Sequence, residues 1–277
     1  MEHIARFFFG VSGNVIALFL FLSPVVTFWR IIRKRSTEDF SGVPYNMTLL
    51  NCLLSAWYGL PFVSPNNILV TTINGTGSVI EAIYVVIFLI FAERKTRLKM
   101  MGLLGIVTSI FTMVVLVSLL ALHGQGRKLF CGLAATIFSI CMYASPLSIM
   151  RLVVKTKSVE FMPFLLSLSV FLCGTSWFIY GLLGRDPFIA IPNGCGSFLG
   201  LMQLILYAIY RNHKGAPAAG KAGAAAGADD EVEDAKKAAA AVEMADAKTN
   251  KVADTVADAA ADDDGKPAEE DKVASQV

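Results

Sequence analysis

The chain has 277 residues, of which 55 % are hydrophobic, and its mean hydropathy is +0.59. The formal net charge of +2 divides unevenly, because residues 214–277 carry 15 acidic and 8 basic side chains while the remainder is basic. Before this tail the chain holds seven apolar stretches, and each approaches the ~20 residues that an α-helix needs to cross a bilayer. Such a series excludes a soluble globular protein.

In chain order the predicted spans are 7–29, 44–62, 68–92, 101–122, 129–150, 163–183 and 187–210. The loops after spans 1, 3 and 5 hold three or four lysines and arginines each, whereas the alternate loops hold two at most. Because positive residues favour the cytoplasmic side, we expect the N-terminus outside and the C-terminus inside. The alanine-rich tail has a net charge of −7, which predicts a disordered cytosolic segment over 214–277.

One pattern occurs twice in this apolar sequence. Ser-Pro, a basic loop, a proline, a Tyr-Gly-Leu and an Asn-Gly-x-Gly-Ser follow each other in both copies, 119 or 122 residues apart. Each copy contains three spans, and the stretch 101–122 has no counterpart. An odd number of spans needs an extra helix between the copies if both are to insert in the same direction.

The duplication predicts an all-α membrane protein with seven transmembrane helices, arranged as two parallel three-helix repeats joined by a linker helix. The expected division is a first repeat at 1–96, a linker at 97–125, a second repeat at 126–213 and the tail at 214–277. Internal repeats in membrane sequence are typical of transporters whose binding site lies between the halves.

Four polar or aromatic residues lie at one depth in these spans: Ser55, Asn74, Trp177 and Asn193. Each is six or seven residues from the outer end of its helix, and therefore about 10 Å below the outer interface at 1.5 Å per residue. Two carboxamides can both donate to and accept from hydroxyls, and an indole offers a flat apolar face. This layer fits a sugar. The alternative is that the asparagines only hydrogen-bond neighbouring helices.

The chain resembles the SWEET sugar uniporters of plants, and it is most similar to the branch that favours glucose. The resemblance covers residues 1–213. It is carried by STEDFSGVPYNMTLLNCLLSAWYGLPFVS (36–64), TTINGTGSVIEAIY (71–84), GRKLFCGLAATIFSICMYASPLSIMRLVVKTKSVEFMPF (126–164) and the segment 174–193.

The resemblance implies roles for several residues. It makes Ser55, Asn74, Trp177 and Asn193 the substrate-binding residues, and the bulk of Trp177 then favours a monosaccharide such as glucose. It assigns an extracellular gate to Tyr58 and Asp186, although Asp186 could instead only cap the last helix. It also implies self-association into homo- or hetero-oligomers.

Four prolines lie in the cytoplasmic halves of spans 1, 2, 5 and 6: Pro24, Pro44, Pro146 and Pro163. Proline removes a backbone hydrogen bond and favours a kink. Symmetric placement suits the hinges of alternating access, in line with the proline tetrad of the family. A static kink or a helix start is the alternative for each one.

Glu81 is an acidic residue deep in a span, so proton coupling is an alternative to facilitated diffusion. No basic or second acidic residue at similar depth continues a proton relay, and we expect a uniporter. A sugar-permeable channel is a further alternative. The sequence shows no metal-binding cysteine spacing and no nucleophile–base pair, so we expect no enzyme activity, no cofactor, no metal and no nucleic-acid partner. The expected partners are a monosaccharide and the lipid bilayer, with the plasma membrane as the expected location.

Overall fold

The computed structural model describes residues 2–38, 40–159 and 162–211. Within these residues the chain forms nine α-helices and no strands. In chain order they are α1 (Glu2–Leu22), α2 (Val25–Lys34), α3 (Val43–Tyr58), α4 (Ile68–Phe91), α5 (Arg94–Leu120), α6 (Gly124–Cys141), α7 (Ala144–Thr156), α8 (Phe164–Leu183) and α9 (Pro187–Tyr210). The predicted tail, 214–277, lies outside the described residues.

Six segments of the described chain are long and apolar enough to cross a membrane, namely α1 with α2, α4, α5, α6 with α7, α8, and α9. The predicted second span, 44–62, is shorter in the structure, because α3 has 16 residues and ends at Tyr58. Leu50, Cys52 and Leu54 of α3 are each 1 % exposed. This helix is surrounded by protein, so it crosses the bundle without the full lipid-facing length of its neighbours.

The predicted first and fifth spans, 7–29 and 129–150, are each two helices with a break near the Ser-Pro dipeptide. Pro24 has no N–H to donate to the Leu20 carbonyl. Ser23 occupies that carbonyl instead, through its backbone N–H at 3.2 Å and its hydroxyl at 2.8 Å. In the other repeat the break falls at Met142 and Tyr143, just before Pro146. Each repeat therefore has a helix break within one turn of its Ser-Pro pair.

The helices pair in the same way in both halves. In the first, α1, α2 and α3 pack on α4; in the second, α6, α7 and α8 pack on α9. Across the halves α1 packs on α8, and α3 packs on α6. Two seams result, and each joins the first span of one half to the second span of the other. The linker helix α5 packs on α3, α4 and α6. The predicted arrangement of three, one and three spans is confirmed.

The apolar core has two parts. The larger one surrounds the two seams and includes Leu54, Tyr58 and Trp177. The smaller one lies in the first repeat, beside α2 and the C-terminal half of α4, where the rings of Phe28 and Tyr84 stack with their centres 4.3 Å apart. Helix α5 begins at Arg94, one turn before the predicted linker boundary, and the division of the chain at 96, 125 and 213 stays a prediction.

Candidate functional site

A cavity of about 260 Å³ lies between the two halves. All four residues of the predicted layer, Ser55, Asn74, Trp177 and Asn193, line it. The structure therefore brings together side chains from α3, α4, α8 and α9 that are far apart in sequence. The remaining lining residues are Ala17, Leu20, Phe21, Asn51, Tyr58, Val70, Ile73, Ala135, Ser139, Cys173, Phe188, Ile189 and Pro192.

The two asparagines are held in the same way. The Asn74 amide donates to the Val70 carbonyl at 2.9 Å, and the Asn193 amide donates to the Ile189 carbonyl at 2.8 Å. Both bonds lie within the asparagine's own helix, one turn back, rather than between helices. Each carboxamide keeps its carbonyl oxygen and a second N–H, so each can still accept from and donate to a hydroxyl.

Trp177 forms the aromatic wall of the cavity and is 6 % exposed. Its indole lies directly against Gly13 of α1, where a Cβ atom would approach Nε1 to 2.8 Å. The Tyr180 ring meets its edge at 5.1 Å with an interplanar angle of 72°. Because Gly13 has no side chain, the Trp177 indole can pack directly against the backbone of α1. Ser55, at the corresponding position of the first repeat, leaves that side of the cavity open.

The sequence analysis missed a second polar pair in this cavity, Asn51 of α3 and Ser139 of α6. The Ser139 hydroxyl donates to the Asn51 side-chain oxygen at 2.8 Å. Asn51 lies one turn before Ser55 on the same helix face, and that spacing could have found it. Its repeat counterpart is Cys173, 122 residues later. One seam is therefore polar, while the seam of α1 and α8 is lined by Trp177 and other apolar groups.

One end of the cavity, near the C-terminus of α3 and the start of α9, is bridged by Tyr58 and Asp186. The Tyr58 hydroxyl lies 2.7 Å from both carboxylate oxygens of Asp186, which is 2 % exposed. The Asn67 amide donates to the same carboxylate at 2.8 Å, and the Lys128 ammonium lies 3.4 Å from it. Asp186 also accepts from the Phe188 backbone N–H at 3.2 Å. The geometry is compatible with both interpretations of Asp186, because its carboxylate caps the N-terminus of α9 and also accepts a hydrogen bond from the Tyr58 hydroxyl.

The four predicted hinge prolines all lie at helix starts. Pro24 precedes α2, Pro44 is in the first turn of α3, Pro146 is in the first turn of α7 and Pro163 precedes α8. None of them is among the residues that line the described cavity. The structure is compatible with static helix starts as well as with hinges, so the hinge role stays a prediction.

A fifth proline, Pro192, lies inside α9 and was not singled out by the sequence analysis. Because it has no N–H, the carbonyl of Phe188 loses its helical partner. The Thr136 hydroxyl of α6 donates to that carbonyl at 3.2 Å, and the Tyr143 hydroxyl donates to the Pro192 carbonyl. The first bond ties α9, which carries Asn193, to α6, and the second ties it to the break between α6 and α7.

Glu81 lies apart from the cavity. It is 3 % exposed and is not among the cavity-lining residues. One of its carboxylate oxygens has no hydrogen-bond partner in the described part of the chain. The structure therefore places this acid within the first repeat rather than on the path between the repeats.

Comparison with known proteins gives a consistent result. The family described as "Sugar efflux transporter for intercellular exchange" matches residues 7–96 and 129–215. The chain is 94 % identical over 238 residues to the bidirectional sugar transporter SWEET1a of Oryza sativa subsp. japonica, covering 86 % of this chain and 87 % of the relative. It is 70 % identical over 213 residues to the bidirectional sugar transporter SWEET1 of Arabidopsis thaliana, covering 77 % and 86 %.

A solved structure shows the same fold. The structure of a eukaryotic SWEET transporter at 3.7 Å resolution matches with a TM-score of 0.75 and 48 % identity, covering 76 % of this chain and 99 % of that one. This family consists of transporters rather than enzymes. The family match covers both halves of the bundle, and the chain belongs to the SWEET family of sugar transporters.

Proposed function

We propose that this protein is a uniporter that carries monosaccharides, glucose above all, in both directions by alternating access and without ion coupling. The observation that carries the proposal is the cavity between the repeats, in which Asn74 and Asn193 present equivalent carboxamides beside the Trp177 ring. Alternating hydroxyl groups and a C–H face are what such a set of side chains recognises.

The size of the cavity favours a single sugar ring. At about 260 Å³ it is smaller than the ~300–1,000 Å³ typical of pockets for drug-sized ligands. Trp177 fills one side of it, while Ser55 leaves the other side free. A disaccharide would need the space of the indole, so we expect glucose to be carried and sucrose to be excluded.

The position of Glu81 supports transport without proton coupling. A carboxylate that couples proton movement to transport has to lie on the substrate path or contact the substrate. Glu81 is buried inside the first repeat and does not line the cavity. Glucose uptake should be the same between pH 5 and 8 and insensitive to protonophores. A strong proton dependence would favour a coupled carrier. A channel would differ in another way, through uptake that does not saturate with glucose.

The decisive experiment is uptake of radiolabelled glucose, fructose and sucrose by yeast that lacks its own hexose carriers. We expect glucose uptake by the parent and none by Asn74→Ala or Asn193→Ala. Thr76→Ala is a matched control, because Thr76 lies two residues from Asn74, faces outward and bonds only to its own helix. Amounts at the cell surface are measured in parallel. Normal uptake by both asparagine variants would refute the pocket.

We further propose a plasma-membrane location with the N-terminus outside, supported by the basic loops after spans 1, 3 and 5. An epitope at the N-terminus should then be reached by antibody on intact cells, whereas one at the C-terminus should not. We also propose self-association of the chain, which differential tagging and co-purification would test.

A further inference from the structure

We infer that the outer gate is a pseudo-symmetric set of six side chains, in which Arg6 and Lys128 are equivalent positioning residues that hold it closed. The set contains one cation, one tyrosine and one Asx residue from each repeat: Arg6, Tyr58 and Asn67, and Lys128, Tyr180 and Asp186. This inference rests on the proposed transport by alternating access. It goes beyond the Tyr58–Asp186 pair that the family resemblance implies.

The repeat register supports this equivalence. Arg6 and Lys128 are 122 residues apart, as are Tyr58 and Tyr180. Asn67 and Asp186 are 119 apart, which is the spacing of the cavity asparagines. Asn67 and Asp186 also occupy the same structural position, since they are the N-cap residues of α4 and α9.

The contacts within each repeat also correspond. The Arg6 guanidinium donates to the Asn67 side-chain oxygen at 2.7 Å. In the second repeat the Lys128 ammonium lies 3.4 Å from the Asp186 carboxylate. Each cation thus holds the Asx side chain that follows the second span of its own repeat.

The contacts between repeats complete the set. Tyr58 donates to Asp186 at 2.7 Å. The Tyr180 hydroxyl lies 3.2 Å from the Asn66 backbone carbonyl and 3.4 Å from the Asn67 side-chain oxygen, and its proton is shared between them. The two Asx residues meet directly, since the Asn67 amide donates to Asp186 at 2.8 Å. The Arg6 guanidinium also lies 4.4 Å from the centre of the Tyr180 ring. Most of the bonds that join the repeats at this gate therefore end on Asn67 or Asp186, the side chains that Arg6 and Lys128 hold.

The charges make the two halves unequal. Asp186 is almost fully buried, and in the described chain its ion-pair partner is Lys128. A buried carboxylate that loses its partner is strongly unfavourable, so the closed gate depends on Lys128. Asn67 occupies the equivalent position without a charge. The Arg6 guanidinium already bonds to the Asn67 side chain, so it could form an ion pair with a carboxylate at position 67.

Cys173 offers a native reporter of gate opening. It lines the cavity and lies seven residues before Tyr180 on α8, about 10 Å deeper than the gate. Cys173 is partly buried, whereas Cys141 and Cys195 are exposed and are replaced by alanine in the background used for the test. Labelling of whole cells with a membrane-impermeant methanethiosulfonate then reports access to Cys173 from outside. A background that also carries Cys173→Ala shows how much signal comes from that thiol.

We expect Lys128→Met and Arg6→Met each to raise the labelling rate about tenfold, as loss of a hydrogen bond to a charged group implies. Lys128→Arg and Arg6→Lys should keep the parental rate. Arg185→Met is a matched control, because it removes a cation next to Asp186 whose side chain makes no hydrogen bond or ion pair with either Asx residue in the described structure. Equal labelling of all three methionine variants would overturn the inference.

Exchanging the two Asx residues separates positioning from mere structural support. Asn67→Asp alone places two carboxylates against each other, and it should open the gate and raise labelling. Asn67→Asp combined with Asp186→Asn moves the charge to the first repeat, where Arg6 takes the part of Lys128, and should restore slow labelling. In this double variant Arg6→Met should raise the labelling rate of Cys173 more than Lys128→Met does. Failure of the exchange to restore closure would refute the equivalence.

Labelling does not require sugar transport, so the two proposals can fail separately. If the parent takes up no sugar but the methionine variants label faster, the proposed function fails and the gate inference stands. If the parent takes up glucose and the exchange restores nothing, the gate inference fails and the function stands.

Discussion

Replacing Gly13 by alanine tests whether the position of the Trp177 ring sets the capacity of the cavity. A Cβ atom at Gly13 would lie 2.8 Å from Nε1, 3.0 Å from Cε2 and 3.1 Å from Cδ1 of Trp177. Because three ring atoms are involved, no small rotation relieves the contact, and the ring has to move away by several tenths of an ångström. The open side of the ring is the cavity of about 260 Å³, so we expect the indole to shift into it.

The magnitude follows from two opposing terms. Overfilling a packed site costs about 1–3 kcal/mol, and replacing glycine inside a helix returns up to about 1 kcal/mol. The net penalty of up to about 2 kcal/mol, if it falls on the sugar-bound state, raises KM for glucose by up to about thirtyfold. Initial rates of glucose uptake in carrier-deficient yeast, normalised to surface protein, measure this directly.

Gly75→Ala provides the matched control. Gly75 lies next to Asn74 in α4, and a Cβ atom there would meet nothing within 4 Å. The same substitution beside the same pocket should leave KM unchanged. Combining Gly13→Ala with Trp177→Phe should restore much of the affinity, since the smaller ring frees the space. A KM for Gly13→Ala equal to that of Gly75→Ala would refute the reasoning.

Three further predictions concern other parts of the molecule. Asn51→Ala removes one hydrogen-bonding group from the polar seam, about 0.5–1.5 kcal/mol, and should raise KM for glucose about two- to twelvefold at unchanged surface expression. Thr136→Val leaves the Phe188 carbonyl without its donor and should lower the Tm in detergent by about 2–4 °C, whereas an unchanged Tm would show that another group satisfies it. The hydrogen bond from Lys34 holds the pKa of Glu38 below its usual value. Ionised Glu38 therefore stabilises the fold above its usual pKa of about 4.3 and loses this effect as the pH falls through the lowered pKa. Glu38→Gln should lower the Tm at pH 7, and its difference from the parent should vanish under strong acid; a difference independent of pH would contradict this.

The depth of the site could be predicted from the sequence because a helix rises by a fixed amount per residue. Counting from the span ends placed Ser55, Asn74, Trp177 and Asn193 in one layer, and all four line one cavity. The duplicated pattern likewise predicted the arrangement of three, one and three spans, with a linker helix between the two repeats. The position of a residue along its helix and the spacing of a repeat can both be counted in the sequence. Neither count requires knowing which faces of the helices pack together.

The features that were missed depend on the direction in which side chains point. Asn51 shares a face with Ser55, but only the packing of α3 on α6 brings Ser139 to it. Lys128 was counted as a charge of the loop between spans 4 and 5, whereas the structure turns its ammonium toward Asp186. Hydropathy drew spans 1 and 5 as continuous, because it records apolar composition and not a missing backbone donor; only Pro24 and Pro146 indicated that each of them is broken.

The cross-pairing of the halves, α1 with α8 and α3 with α6, bears on how such a protein could have arisen. Two separate copies of a single repeat would form two identical seams, and the cavity between them would hold either two tryptophans or two serines. Joining the copies in one chain frees each seam to change alone. Trp177 in one half and Ser55 in the other form a combination that no symmetric pair of identical subunits can offer, so carrying both repeats in one chain allows the two walls of the cavity to differ.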